Sequence, residues 1–132
     1  MPLSAPAEDP LAALRREAER DDSLWASLRA DLAWDEAAFQ RLVAAVPPAL
    51  EALRGRDEVP RWLLSLLTFQ LYGCLGMMGN PLLEAPSAPG LDAPSRARWL
   101  DARRAFLRAT IDAFASDRPL RAVTLAAVAP AG

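Results

Sequence analysis

The sequence predicts an all-α fold: a single-domain bundle of four to five helices around one central apolar helix at about residues 59–78. Three observations point there. Apolar residues recur at three- and four-residue spacing through most of the chain. No stretch keeps the two-residue period of a half-buried strand. The longest uncharged run, WLLSLLTFQLYGCLGMMGNPLL from Trp62 to Leu83, supplies an apolar helix on which amphipathic helices can pack. At 132 residues the chain makes one domain, 1–132, with residues 1–9 and 122–132 expected as flexible ends.

The first helical stripe is Leu11, Leu14 and Ala18, and the second is Leu24, Trp25, Leu28 and Leu32. Asp21-Asp22-Ser23 lies between them, with either Asp able to cap the second helix. The stripes share a phase, so one helix over about 10–33 is the alternative. Asp35 is the expected N-cap of the next helix, with Trp34 and Phe39 spaced as a hydrophobic staple. Phe39, Leu42, Val43, Val46, Leu50 and Leu53 then keep one phase across Pro47 and Pro48. That predicts a kinked helix or two abutting helices on one axis, stopped at Gly55.

Asp57 and Pro60 are placed to start the helix of the uncharged run, and Gly79-Asn80-Pro81 to end it. Residues 79–93 read as a long Pro-rich loop. The last long helix covers about 94–116, with Trp99, Leu100, Phe106, Leu107, Thr110, Ile111 and Phe114 on its apolar face. The Ala/Val-rich tail beyond Arg118 is expected to pack as an extended segment or to fray. Trp25, Trp34, Phe39, Trp99 and Phe106 are expected around the central helix.

Twenty-two uncharged residues are also long enough to cross a bilayer, with Arg54, Arg56 and Arg61 on the cytoplasmic side. Ser65, Thr68, Gln70 and Tyr72 in its middle, and Pro81 near its end, favour a buried helix over a single span. On a helical wheel Ser65, Thr68, Tyr72 and Gly76 share one side, with Gly73 beside it. This stripe of small and weakly polar residues admits the close approach of another helix, within the fold or across a two-fold dimer. Gln70 falls on a leucine side near Cys74, where its amide needs partners.

Composition narrows the chemistry. There is no His, and all fifteen cations are Arg. Catalytic triads, histidine metal sites, Schiff bases and a P-loop lysine are therefore ruled out. The single cysteine, Cys74, forms no internal disulfide, sits in an apolar helix as an inert core thiol, and fits a reducing compartment. Glu17 with Asp21, and Asp31 with Asp35, have i,i+4 spacing but lie in solvated, Arg-rich stretches. No catalytic residue, cofactor or metal ligand is assigned, although composition leaves carboxylate chemistry open.

The net charge of −2 does not suggest nucleic acid, and Arg96, Arg98, Arg103, Arg104 and Arg108 do not share one face. Arg103 alone projects into the apolar arc of its helix. It can snorkel, pair with a buried carboxylate, or hold an anionic ligand or partner group.

The sequence thus predicts a non-catalytic interaction protein: an adaptor, regulator or immunity-type binder, as a monomer or a homodimer. The Arg-for-Lys usage suggests a GC-rich bacterial genome, and the N-terminus, lacking a secretory signal, a cytoplasmic location. The expected partner is protein, either a second copy or another chain. A hydrophobic content of 52% favours such a surface. Candidate contacts are Gln70, Tyr72, Arg103, Ser65, Thr68 and Gly76. The alternatives are a small-molecule-binding bundle with a pocket near Gln70, Tyr72 and Arg103, and a single-span membrane protein using residues 62–83.

Overall fold

The computed structural model describes residues 8–84 and 91–130 and is an all-α bundle. Its elements are α1 (Pro10–Ala18), α2 (Leu24–Asp31), α3 (Glu36–Leu53), α4 (Arg61–Ser65), a π-helical segment (Leu66–Leu71), α5 (Tyr72–Met78), α6 (Ala93–Ser116) and α7 (Ala122–Ala127). α4, the π segment and α5 follow one another without a break and make one composite helix over 61–78.

Local chemistry accounts for most of the boundaries. The break between α1 and α2 is real, but its cap is Ser23 rather than either Asp: Ser23 Oγ accepts from the Ala26 N–H at 3.2 Å. Asp22 is drawn away by Arg20, whose Nε lies 2.8 Å from its carboxylate. Asp35 caps α3 by accepting from the Ala38 N–H at 3.0 Å, and the Trp34 and Phe39 rings close the staple at 5.1 Å. α3 runs unbroken through Pro47 and Pro48. Pro48 is exposed and Pro47 half-buried, so neither ring intrudes on the core stripe of Phe39, Leu42, Val46, Ala49 and Leu53. Gly55 follows with φ +75°, a conformation that glycine adopts without steric cost.

The composite helix begins at Arg61 rather than near residue 59. Pro60, not Asp57, stands at its cap position, and Asp57 is exposed. It stops at Gly79, and Asn80 Oδ1 then accepts from the Leu82 N–H at 2.9 Å to turn the chain. Glu84 bridges to the α2–α3 connection: the Trp34 N–H donates to its carbonyl at 2.7 Å, and its own N–H donates to the Leu32 carbonyl at 3.0 Å. The Pro-rich loop is thus anchored at its start, and its residues 85–90 lie outside the described residues. The tail beyond Arg118, expected as extended or frayed, instead forms the short helix α7, with Val128 fully buried behind it.

α1 lies along α3, α2 packs on α5, and α6 crosses both the π segment and α5. The core joins Leu14, Leu28, Trp34, Phe39, Val46, Leu63, Leu71, Phe106, Leu107 and Val128. The Trp34, Phe39, Trp99 and Phe106 rings are stacked edge-on or tilted between α3 and α6, so the aromatic centre lies there rather than on the composite helix. Trp25 does meet the composite helix, its six-membered ring filling the space where a side chain on Gly73 would begin. Among the described residues no helix is long and apolar enough to cross a membrane. Leu63, Leu66, Leu67 and Leu71 of the uncharged run are buried against protein.

Candidate functional site

The composite helix buries one side and exposes the other. Leu63, Leu66, Leu67, Leu71, Cys74 and Met78 face the core. Arg61, Leu64, Ser65, Thr68, Phe69, Tyr72 and Gly76 face outward. Leu64 is 50% exposed, Phe69 72% and Tyr72 60%, which makes them three of the largest exposed apolar groups on the described surface. Burial of this helix all round, expected from its lack of charge, is therefore met on one side only. Between Arg61 and Glu84 the exposed face carries no charged side chain at all. A stretch of solvent-facing helix this long ordinarily carries several charges.

The small stripe is open as well. A methyl group built on Gly76 meets nothing within 4 Å. The helix approach expected at this stripe is thus absent from the fold itself. Gly73, one step round, takes the intramolecular contact with Trp25. The π segment sits under the middle of the face, with the Tyr72 N–H donating to the Leu67 carbonyl five residues back. Thr68 Oγ1 donates to the Leu64 carbonyl at 2.6 Å. π turns of this kind widen a helix locally and are frequent at functional sites.

Beside the face runs a groove of about 750 Å³. Leu64, Thr68 and Tyr72 line one side of it, Ile111, Phe114 and Asp117 the other, with Leu63 and Leu67 beneath and Arg56 and Asp57 at the rim. Asp117 Oδ2 accepts from the Gly55 N–H at 3.0 Å, tying the end of α6 to the end of α3 and fixing that end of the groove.

The other two candidate residues lie elsewhere. Gln70 donates to the Ala18 carbonyl at 3.0 Å, so its amide fastens α1 to the π segment. Gln70 and Cys74 border a cavity of about 20 Å³, room for a water molecule and no more. Burial pushes the Cys74 thiol up to about 12, which keeps it protonated and unreactive.

Arg103 is 5% exposed and pairs with Glu36 across α3 and α6. Its Nε lies 2.7 Å from Oε2 and its Nη2 2.8 Å from Oε1. Its Nη1 donates to the Trp99 carbonyl at 3.2 Å, and its guanidinium carbon lies 3.7 Å from the Trp99 ring centroid. Glu36 also accepts from Trp34 Nε1 at 3.0 Å and Gln40 Nε2 at 2.9 Å. Gln40 reaches on to the Val128 carbonyl at 2.8 Å. Each of the three guanidinium nitrogens donates within the fold, so Arg103 serves as the buried cation that joins α3 to α6.

The structure thus brings together Ser65, Thr68, Tyr72 and Gly76, and separates Gln70 and Arg103 from them and from each other. Among the described residues, Gln70 borders the small cavity and Tyr72 the groove, and Arg103 lines neither. Leu64 and Phe69 also belong to the exposed face, although helical spacing sets them just outside the small-residue stripe. Their place at the two edges of the small-residue stripe was the signal available. Among the described residues no three His, Cys, Asp or Glu side chains converge as metal ligands would.

Comparison with protein-family models, curated proteins and solved structures finds no match for this chain.

Proposed function

We propose that this protein is a non-catalytic interaction module whose working surface is the outer face of the composite helix and the groove beside it. The observation that carries this is the exposed, uncharged side formed by Leu64, Ser65, Thr68, Phe69, Tyr72 and Gly76. Interface cores are depleted in charge and enriched in aromatic residues, and Phe69 and Tyr72 are placed as anchors. The groove lets an apolar helix of a partner protein lie between the composite helix and α6. The buried free thiol of Cys74 accords with a reducing compartment such as the cytoplasm.

The test is a pair of baits, the wild-type chain and Phe69→Arg. Phe69 is mostly solvated, so the variant should keep its helical circular dichroism and melting temperature. A partner retained by the wild type, lost by the variant, and shown with both purified proteins to bind only the wild type supports the docking face. Equal binding by both refutes it.

A further inference from the structure

We infer that the partner seated on this face is a second copy of the same chain, its composite helix crossing antiparallel about a two-fold axis beside residue 70. This rests on the docking face described above and commits it to one occupant.

Two features of the face are self-complementary in that one arrangement. The first is charge. Arg61 stands at the N-terminal end of the composite helix, whose first turn holds no acid, and forms no ion pair among the described residues. The C-terminal end has no cation in its last turn, and exposed Glu84 lies a few residues beyond. Arg61 at the N-terminal end and Glu84 beyond the C-terminal end thus carry the sign that the helix dipole disfavours there, and neither has an ion-pair partner among the described residues, whereas the Met78 carbonyl already accepts from Arg104 Nη2 at 3.2 Å. An antiparallel copy brings Arg61 of each protomer near Glu84 of the other. A parallel copy would stack Arg61 on Arg61.

The second feature is size. About an axis beside residue 70, positions whose numbers add up to about 140 face each other, because a two-fold contact is reciprocal. Leu64 then meets Gly76 of the copy, Tyr72 meets Thr68, and the two Phe69 rings flank the axis. Every large side chain is opposed by a smaller one except at the axis itself. The empty space over Gly76 becomes the socket for Leu64.

The area is of the right order. Leu64, Phe69 and Tyr72 with their small neighbours and the groove edge offer roughly 600 Å² per protomer, somewhat below the ~800 Å² of a standard interface. That size fits a reversible dimer rather than an obligate one.

The experiment is sedimentation velocity over a hundredfold concentration range, on the wild type and on Phe69→Arg, with crosslinking of cysteine variants. The wild type should pass from the monomer mass towards twice that mass, and Phe69→Arg should raise the midpoint by at least about tenfold. A mixture of Leu64→Cys and Gly76→Cys chains should oxidise to a mixed disulfide dimer faster than either variant alone, with Cys74 buried and silent. A monomeric wild type at every concentration overturns the second copy. So does a dimer indifferent to Phe69→Arg, or one in which Leu64→Cys joins itself in preference to Gly76→Cys. A monomer that nonetheless loses a different protein partner on Phe69→Arg overturns only the second copy, and the docking face stands.

Discussion

The two halves of the Arg103–Glu36 pair should not be equivalent, and the difference can be worked from the hydrogen bonds. Glu36 receives four N–H groups, two on each oxygen: Gln40 and Arg103 on Oε1, Trp34 and Arg103 on Oε2. Arg103→Met keeps most of the buried stem and leaves each carboxylate oxygen one donor. The acid also remains in the first turn of α3, where the helix dipole favours it. Its cost is the lost guanidinium bonds and its stacking on Trp99, about 1–3 kcal/mol. Glu36→Gln is nearly isosteric, yet it supplies one acceptor oxygen and turns an amide N–H₂ towards donors. It leaves a guanidinium buried without its counter-charge, which costs ~3–5 kcal/mol. At roughly 3–5 °C per kcal/mol for a chain of this size, Glu36→Gln should melt about 10–20 °C lower and Arg103→Met about half as far. Urea unfolding followed by circular dichroism measures both, and the double variant gives the coupling. If Arg103→Met proves as costly as Glu36→Gln, or the coupling falls below about 1 kcal/mol, the pair is not the connection between α3 and α6 described here.

Three further outcomes follow from the packing. Gly73→Ala drives a methyl group into the Trp25 ring and should destabilise by about 1–3 kcal/mol, whereas Gly76→Ala meets open space and should stabilise by about 0.5–1 kcal/mol; parallel urea curves give both. Cys74 should ignore a thiol reagent in the native chain and react on unfolding. Because its folded pKa is raised above the usual 9 to about 12, its contribution to stability is full below pH 9 and is lost as pH rises towards 12, and Cys74→Ala should flatten that part of the pH–stability curve. Asp35→Ala removes the acceptor for the Ala38 N–H and should cost about 1 kcal/mol in thermal unfolding.

How much of this was legible in the sequence depended on how local the cause is. Asp35, the Trp34–Phe39 staple, Gly55 and the stop at Gly79 act through neighbours a few residues away, and their places could be read directly. The stripe of Ser65, Thr68, Tyr72 and Gly76 was legible from helical spacing. What it faces was not, since that depends on where α2 and α6 pack. Ser23 outcompeted two neighbouring Asp residues because Arg20 holds Asp22, a contact that exists only once the turn forms. The partner of Arg103 lay 67 positions away, and the Glu84 bridge joined a loop to a turn with no pattern in either. The tail looked featureless because its anchors are distant: Val128 is buried in the core, Leu120 and Leu125 pack against it, and Gln40 on α3 donates to the Val128 carbonyl. The π segment left no mark in the residue pattern.

The exposed face misled for a physical reason that also gives it meaning. Charge is the usual sign that a helix side meets water, and here the sign is missing. Nothing in the packing of one chain accounts for that. Ser65, Thr68 and Gly76 are exposed, and Phe69 is the most exposed large apolar side chain on this helix. An arginine or glutamate at any of these positions would be solvated at little cost to the monomer, and an exposed phenylalanine contributes little to the monomer's core. The polar framework that sustains the bundle lies elsewhere, in the Glu36–Arg103 network between α3 and α6 and in the Gln70 bond to α1. Stability is thus set by one group of residues and the uncharged face by another. On the proposed docking face, substitutions at Phe69 or Gly76 should change association while leaving the fold intact, and substitutions at Glu36 should do the reverse.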